Sequence, residues 1–190
     1  WQIDGQRSLI LSRRAEAGTI NLQSTAITAP QTLEVADGPV DGYRATRSAT
    51  ATKTDTALRD IPQSIQVVPR QVLEDQQVTR LQDALANVSS IQPSSNRGGA
   101  TDTFVVRGFR ATSYAVDGIV TNPLADRPEV QRDLANVERV EVLKGPASVL
   151  YGRGDPGGLV NLVTRRPTME PEGRVNVEVG MRDFYRLEGD

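Results

Sequence analysis

The sequence predicts an α+β fold, a small mixed sheet with short helices, followed by the first strands of a transmembrane β-barrel. Three observations predict it. Residues 138–168 read as strand, glycine-rich turn, strand. Residues 79–88 carry one helical apolar stripe set between short β-type runs. Beyond Pro167 the apolar residues switch to a period of two.

Composition narrows the function before any motif is considered. The 190 residues carry a net charge of −2 at a pI near 5.3, leaving no basic excess to meet nucleic-acid phosphates. With no cysteine and no histidine, the chain has no disulfide, thiol nucleophile, thiolate metal site, serine–histidine triad or histidine zinc site. A carboxylate-pair enzyme survives that exclusion, but no two acids are set together in an apolar context. The expectation is a chain without catalysis, resident cofactor or protein metal ligand. No run approaches the roughly 20 apolar residues of a transmembrane helix. No basic-then-apolar leader is visible at Trp1, so the chain reads as a mature or truncated exported one. Aromatics make up only 4%, beside 16 glycines and 11 prolines. A domain that buries so little large apolar surface depends on a surrounding partner.

Taken in order, Trp1-Gln2-Ile3 and Ser8-Leu9-Ile10-Leu11 flank Asp4-Gly5, a preferred hairpin dipeptide. With Thr19-Ile20-Asn21-Leu22, residues 1–23 read as the last strands of a small domain whose beginning is missing. Residues 24–50 have linker composition, rich in Thr, Ala, Gly and Pro. A single domain then spans 51–168. Ile61-Pro62 opens a strand continued by Ser64-Ile65-Gln66-Val67-Val68, and a helical turn follows from Arg70. Thr79 and Gln82 form a capping-box pair ahead of Leu81, Ala84, Leu85 and Val88, which share one helix face. Residues 103–109 read as a strand, and Tyr114-Ala115-Val116 with Ile119-Val120 as a hairpin about Asp117-Gly118. Polar loops occupy 94–102 and 121–133.

In 138–168, Val140-Glu141-Val142-Leu143 is a buried-type strand and Gly145-Pro146 stops it. A helical turn over 147–151 ends at Gly152, and Leu159-Val160-Asn161-Leu162-Val163 is a second strand. The intervening GRGDPGG lacks the Gly-Lys-Ser/Thr of a phosphate loop, and its Arg-Gly-Asp triplet belongs to a longer motif. In 169–190, Val175, Val177 and Val179, then Tyr185 and Leu187, alternate with polar residues across an Arg182-Asp183 turn. Such alternation suits barrel strands and also a soluble hairpin.

Residues 138–168, ERVEVLKGPASVLYGRGDPGGLVNLVTRRPT, closely resemble the plug-domain signature of TonB-dependent outer-membrane receptors, and Arg107-Gly108-Phe109 is also similar to the family. The stretch from Ala51 to Pro69 is similar to the start of the plug in ferrichrome-type, hydroxamate-siderophore receptors. The resemblance implies a plug inside an outer-membrane barrel most of which lies beyond this chain, importing a ferric siderophore. It implies the TonB energy transducer as partner, through a TonB box at Thr25, Ala26, Ile27, Thr28 and Ala29, preferred to Thr32-Leu33-Glu34-Val35. It implies ligand contacts at Arg97, Gly98, Gly99 and Tyr114, and ion pairs from Arg107 and Lys144 to barrel glutamates. Iron arriving already chelated requires no metal ligand from the protein. Three rivals remain at this point: a siderophore-sensing receptor acting on an anti-sigma regulator, a soluble periplasmic binding module, and a transporter of cobalamin or a glycan.

Overall fold

Residues 138–168 form the centre of the main sheet. The structure, a computed structural model, describes residues 2–3, 9–10, 34–94, 101–111, 114–121, 129–130, 132–167 and 173–189. The chain divides into two units, Trp1–Leu33 and Glu34–Asp190. In the first, β1 (Gln2–Ile3) pairs antiparallel with β2 (Leu9–Ile10), the pairing expected of these two runs, while Asp4-Gly5 between them lies outside the described residues. The strand expected at 19–22 lies outside the described residues.

The second unit runs β3 (Arg47–Ser48), β4 (Thr56–Ala57), β5 (Ser64–Pro69), α1 (Arg70–Asp75), α2 (Leu81–Leu85), β6 (Ile91–Pro93), β7 (Thr101–Asp102), β8 (Phe104–Val106) and β9 (Phe109–Ala111). It continues through β10 (Tyr114–Val116), β11 (Ile119–Val120), β12 (Glu129–Val130), β13 (Val137–Lys144), α3 (Ser148–Tyr151), β14 (Gly158–Thr164), β15 (Val175–Val179) and β16 (Tyr185–Gly189). The main sheet has the order β11-β10-β14-β13-β5. It is mixed, because β10 runs parallel to β14 while the other neighbours are antiparallel.

Both faces of this sheet are covered, and they differ in chemistry. Val140 and Val142 of β13, Val160 and Leu162 of β14, Val68 of β5 and Tyr114 of β10 share one face by register. They pack with Leu73 of α1 and with Leu81, Ala84, Leu85 and Val88, the stripe predicted for α2. Full burial of one leucine contributes roughly 1.5–3 kcal/mol, so this layer supplies most of the stabilisation. The predicted capping box does not form: α2 begins at Leu81, with Arg80 as an uncapped, extended N-cap. Arg80 is held extended by a lone bridge to Asp133, which leaves no place for a helical turn at Thr79.

Two other expectations change. The predicted 103–109 strand is a hairpin, because Arg107 (φ 53) and Gly108 (φ 87) turn the chain between β8 and β9. Such a pair of positive φ values suits a two-residue hairpin turn. From Glu34 onward, moreover, the predicted 24–50 linker is packed. Ala36, Val40, Ala45, Ser48 and Thr50 are all buried. The small side chains that read as linker composition let this strap lie close on its neighbours.

Gly158 sets the closest approach in the sheet. At φ +147, a Cβ on it would lie 2.2 Å from the Leu143 carbonyl oxygen on β13. Backbone on both sides leaves nothing to give. Gly158→Ala is expected to cost about 3 kcal/mol or more, read as a lower urea midpoint for the chain; an unchanged midpoint would mean that β13 and β14 can spread.

Candidate functional site

Several predicted site residues fall on stretches outside the description. The TonB-box positions Thr25, Ala26, Ile27, Thr28 and Ala29 do so, as do Arg97, Gly98 and Gly99. What the structure does describe is the root of the two polar loops. β7 and β12, neither foreseen, pair antiparallel with Asp102 opposite Glu129 and Thr101 opposite Val130. They join the end of one loop to the end of the other. Asp102 is buried there, its carboxyl pushed above the ordinary aspartate value by desolvation, and it accepts the Arg132 backbone N–H at 3.3 Å.

Tyr114 is not on a ligand-facing wall. It is 2% exposed, edge-on to Phe104 at 6.3 Å between ring centroids, and its hydroxyl donates to the Asp102 carbonyl at 3.2 Å. Register explains this: Tyr114 sits opposite Val160 on the apolar face of the sheet.

Arg107 and Lys144 come together, although only Lys144 lies on a strand. Arg107 is exposed in the β8–β9 turn, and its Nη1 lies 3.3 Å from where a Cβ on Gly145 would be. Lys144 ends β13, half-buried, with Nζ donating to Gln66 Oε1 at 3.0 Å and Ser89 Oγ at 2.8 Å. Its pKa is lowered, first by burial and then by the Arg107 charge. Among the described residues neither cation is in an ion pair, and Phe109 beside Arg107 is half exposed. An arginine held at positive φ without a carboxylate is a strained group presented outward.

The reading of Val140-Glu141-Val142-Leu143 as a buried-type strand missed a buried polar network on the other face of the sheet. Arg139 and Glu141 alternate with Val140 and Val142, and both are fully buried. Arg139 Nε lies 3.0 Å from Glu141 Oε1, close enough to pair in charge but not aligned as a hydrogen bond. Glu141 Oε2 accepts from Ser48 Oγ at 2.6 Å and from Thr50 Oγ1, and Thr50 Oγ1 accepts from Asn161 Nδ2 at 2.8 Å. Tyr151 donates to the Thr50 carbonyl at 2.7 Å; burial first, and the Glu141 charge second, push its hydroxyl up to about 12. Lys53 sits 3.8 Å over the Tyr151 ring and donates to the Gly118 carbonyl at 2.6 Å. The strap is therefore fastened by hydroxyls and charge. The signal was in the sequence: Arg139, Glu141 and Asn161 occupy alternate positions within apolar strands.

The β15–β16 hairpin has inverted polarity. Val175, Val177, Val179, Tyr185 and Leu187 are each at least 64% exposed, whereas Glu178, Arg186 and Glu188 between them are half-buried against the rest of the unit. A soluble hairpin turns its apolar face inward; a wall strand of a membrane barrel turns it out.

Residues 57–159, more than half of the chain, match the family model for the TonB-dependent Receptor Plug Domain. The chain belongs to the TonB-dependent receptors of the outer membrane, and this part of it is a plug domain. It is 49% identical over 161 residues to the Metal-pseudopaline receptor CntO of Pseudomonas aeruginosa, covering 84% of this chain and 22% of that one. It is 34% identical over 173 residues to the ferrichrome outer membrane transporter/phage receptor of Escherichia coli, covering 85% and 22%. Among solved structures, the pyoverdine outer membrane receptor FpvA of Pseudomonas aeruginosa bound to pyoverdine superposes with a TM-score of 0.69 at 32% identity, over 77% of this chain and 22% of that one. The chain thus spans about a fifth of the length of the relatives it matches. Those relatives are transport receptors rather than enzymes.

The buried network gives a pH-dependent expectation. Desolvation raises the Glu141 pKa above its ordinary value, against the lowering effect of Ser48, Thr50 and Arg139. Between the unfolded and folded values the fold binds the extra proton, so stability falls as pH rises through the folded pKa. Glu141→Gln, which mimics the protonated carboxyl, should flatten that decline when denaturation midpoints are followed from acid toward neutrality. A variant with the parent's pH dependence would show that Glu141 stays charged in the fold.

Proposed function

We propose that this chain is the plug, with the first wall strands, of an outer-membrane receptor that imports ferric siderophores using energy from the inner membrane. The observation that carries the reading is the inverted polarity of the β15–β16 hairpin, whose charged face meets the plug and whose apolar face suits lipid. A soluble periplasmic module would not expose that face. The receptor acts without catalysis and without a resident cofactor; the iron is cargo, held by its chelator. Thr25, Ala26, Ile27, Thr28 and Ala29 serve as the strand that the TonB transducer pairs with. Arg97, beside Gly98 and Gly99, donates hydrogen bonds to chelate oxygens, which a guanidinium does without losing a proton.

A second cargo is favoured by one observation. Identity to the metal-pseudopaline receptor is 49%, against 31–37% for the pyoverdine, ferrichrome and ferrioxamine receptors. A metal–pseudopaline chelate therefore stands beside the ferric siderophores. The deciding experiment expresses the full-length receptor in a strain stripped of its own, and offers labelled iron as ferrichrome, ferrioxamine and pyoverdine, and a labelled metal as its pseudopaline complex. Uptake of at least one chelate should require TonB, and Ile27→Pro, which removes a pairing N–H, should abolish uptake and spare cell-surface binding. Uptake that persists without TonB would refute the reading.

Arg107 and Lys144 are proposed to meet carboxylates on the inner barrel wall. Leaving one partner of a buried pair uncompensated costs roughly 3–5 kcal/mol, enough to loosen the plug. The Arg107→Ala/Lys144→Ala receptor should admit large antibiotics that the parent excludes. Unchanged antibiotic sensitivity would place the docking contacts elsewhere.

A further inference from the structure

Among the described residues, two ion pairs tie the hairpin to the plug. Arg174, just before β15, places Nη1 2.6 Å from Oε1 of Glu74 on α1. The same oxygen accepts from Arg70 Nε at 2.9 Å, and Arg70 Nη1 in turn donates to the carbonyls of Leu134, Ala135 and Val137. Arg186, in β16, places Nη2 2.7 Å from Oδ1 of Asp133 and also contacts Glu188. Its side chain is 20% exposed but that of Asp133 is 60%, and Arg174 and Glu74 are 59% and 39% exposed, so each pair is screened by solvent and modest alone, and the two act by converging. Asp133 Oδ1 also accepts the Ala135 N–H at 2.8 Å. Both anchor carboxylates are thus wired to the turn that starts β13.

The connection between plug and hairpin is pinned at the same place. The Arg165 N–H donates to the Asn136 carbonyl at 3.1 Å, and its guanidinium lies 3.7 Å from Glu138. Between hairpin and plug lies a groove of about 940 Å³, lined by apolar Leu73, Val78 and Phe184 and by charged Arg70, Glu178 and Arg186. Lys144, with Arg107 beside it, stands at the other end of β13, about 23 Å away at 3.3 Å per residue.

We infer that α1, the turn before β13 and the β15–β16 hairpin form one body that stays together through the transport cycle. This rests on the transport reading above. Two ion pairs and a pinned connection all converge on one end of one strand, so separation there would break them together.

Cross-linking tests this; the chain carries no cysteine, and any in the rest of the receptor are first replaced by serine so that the placed thiols are unambiguous. Asp133→Cys/Arg186→Cys is introduced into the full-length receptor, with Glu74→Cys/Arg174→Cys as a second, independent pair. A bifunctional thiol reagent about as long as an arginine side chain is applied to cells. The cross-link should form in high yield, equally in energised and de-energised membranes, and the linked receptor should import labelled iron at the rate of the unlinked double-cysteine receptor. Failure of both pairs to cross-link, a yield that drops on energisation, or uptake blocked by the linker would each overturn the inference. A receptor that imports none of the chelates before linking counts against the transport reading instead, and the yield comparison then decides the anchor alone.

Discussion

The fold depends on β13 being buried on both sides with a different chemistry on each. Its valines, Val140 and Val142, face an apolar layer built with α1 and α2. Arg139 and Glu141 face the strap, where every polar partner must come from the protein. A strand that is hydrophobic on both faces would hold its helices equally well. It would gain nothing from Ser48, Thr50 and Asn161, and the strap would keep only contacts such as that of Ala51 with the Leu143 and Leu159 cluster. Burying a carboxylate and a guanidinium costs desolvation that hydrogen bonds only partly offset. The pair therefore adds little to stability and much to specificity: only a segment with hydroxyls at the right spacing can cover it.

How much of this was legible in the sequence follows from the range of each interaction. α1, the apolar stripe of α2, the Asp117-Gly118 hairpin, α3 and the two strands around the glycine turn all rest on local pattern, and they stand. The capping box failed because a distant bridge, Arg80 to Asp133, decided where α2 starts. The linker reading failed past Glu34 because small residues serve a mobile segment and a tightly packed strap equally well. Tyr114 suits a ligand-facing wall and a core equally well in sequence, and the parallel register with Val160 puts it in the core. Strand order and the parallel pairing of β10 with β14 leave no local mark at all.

The candidate site was legible in kind rather than in detail. The basic residues at 107 and 144 could be singled out by motif, yet that they meet over Gly145 depends on a turn that the strand pattern concealed. Conversely, the network around Glu141 was written plainly as polar residues at alternate strand positions, and was passed over because the segment reads as apolar on average.

The two faces of the β15–β16 hairpin have a consequence for inheritance. Side chains alternate with a period of two, so sidedness is a matter of parity. Losing or gaining a single residue within either strand would send every later side chain of that strand to the wrong side. Arg186 and Glu188 would then turn toward hydrocarbon, where a charge near the bilayer midplane costs about 2–4 kcal/mol for an arginine. Tyr185 and Leu187 would turn toward the plug. Substitutions can accumulate here one at a time, but length cannot drift, except by two residues together. The wall strands are thus held to a stricter count than the strap, where an added residue would change reach without inverting anything.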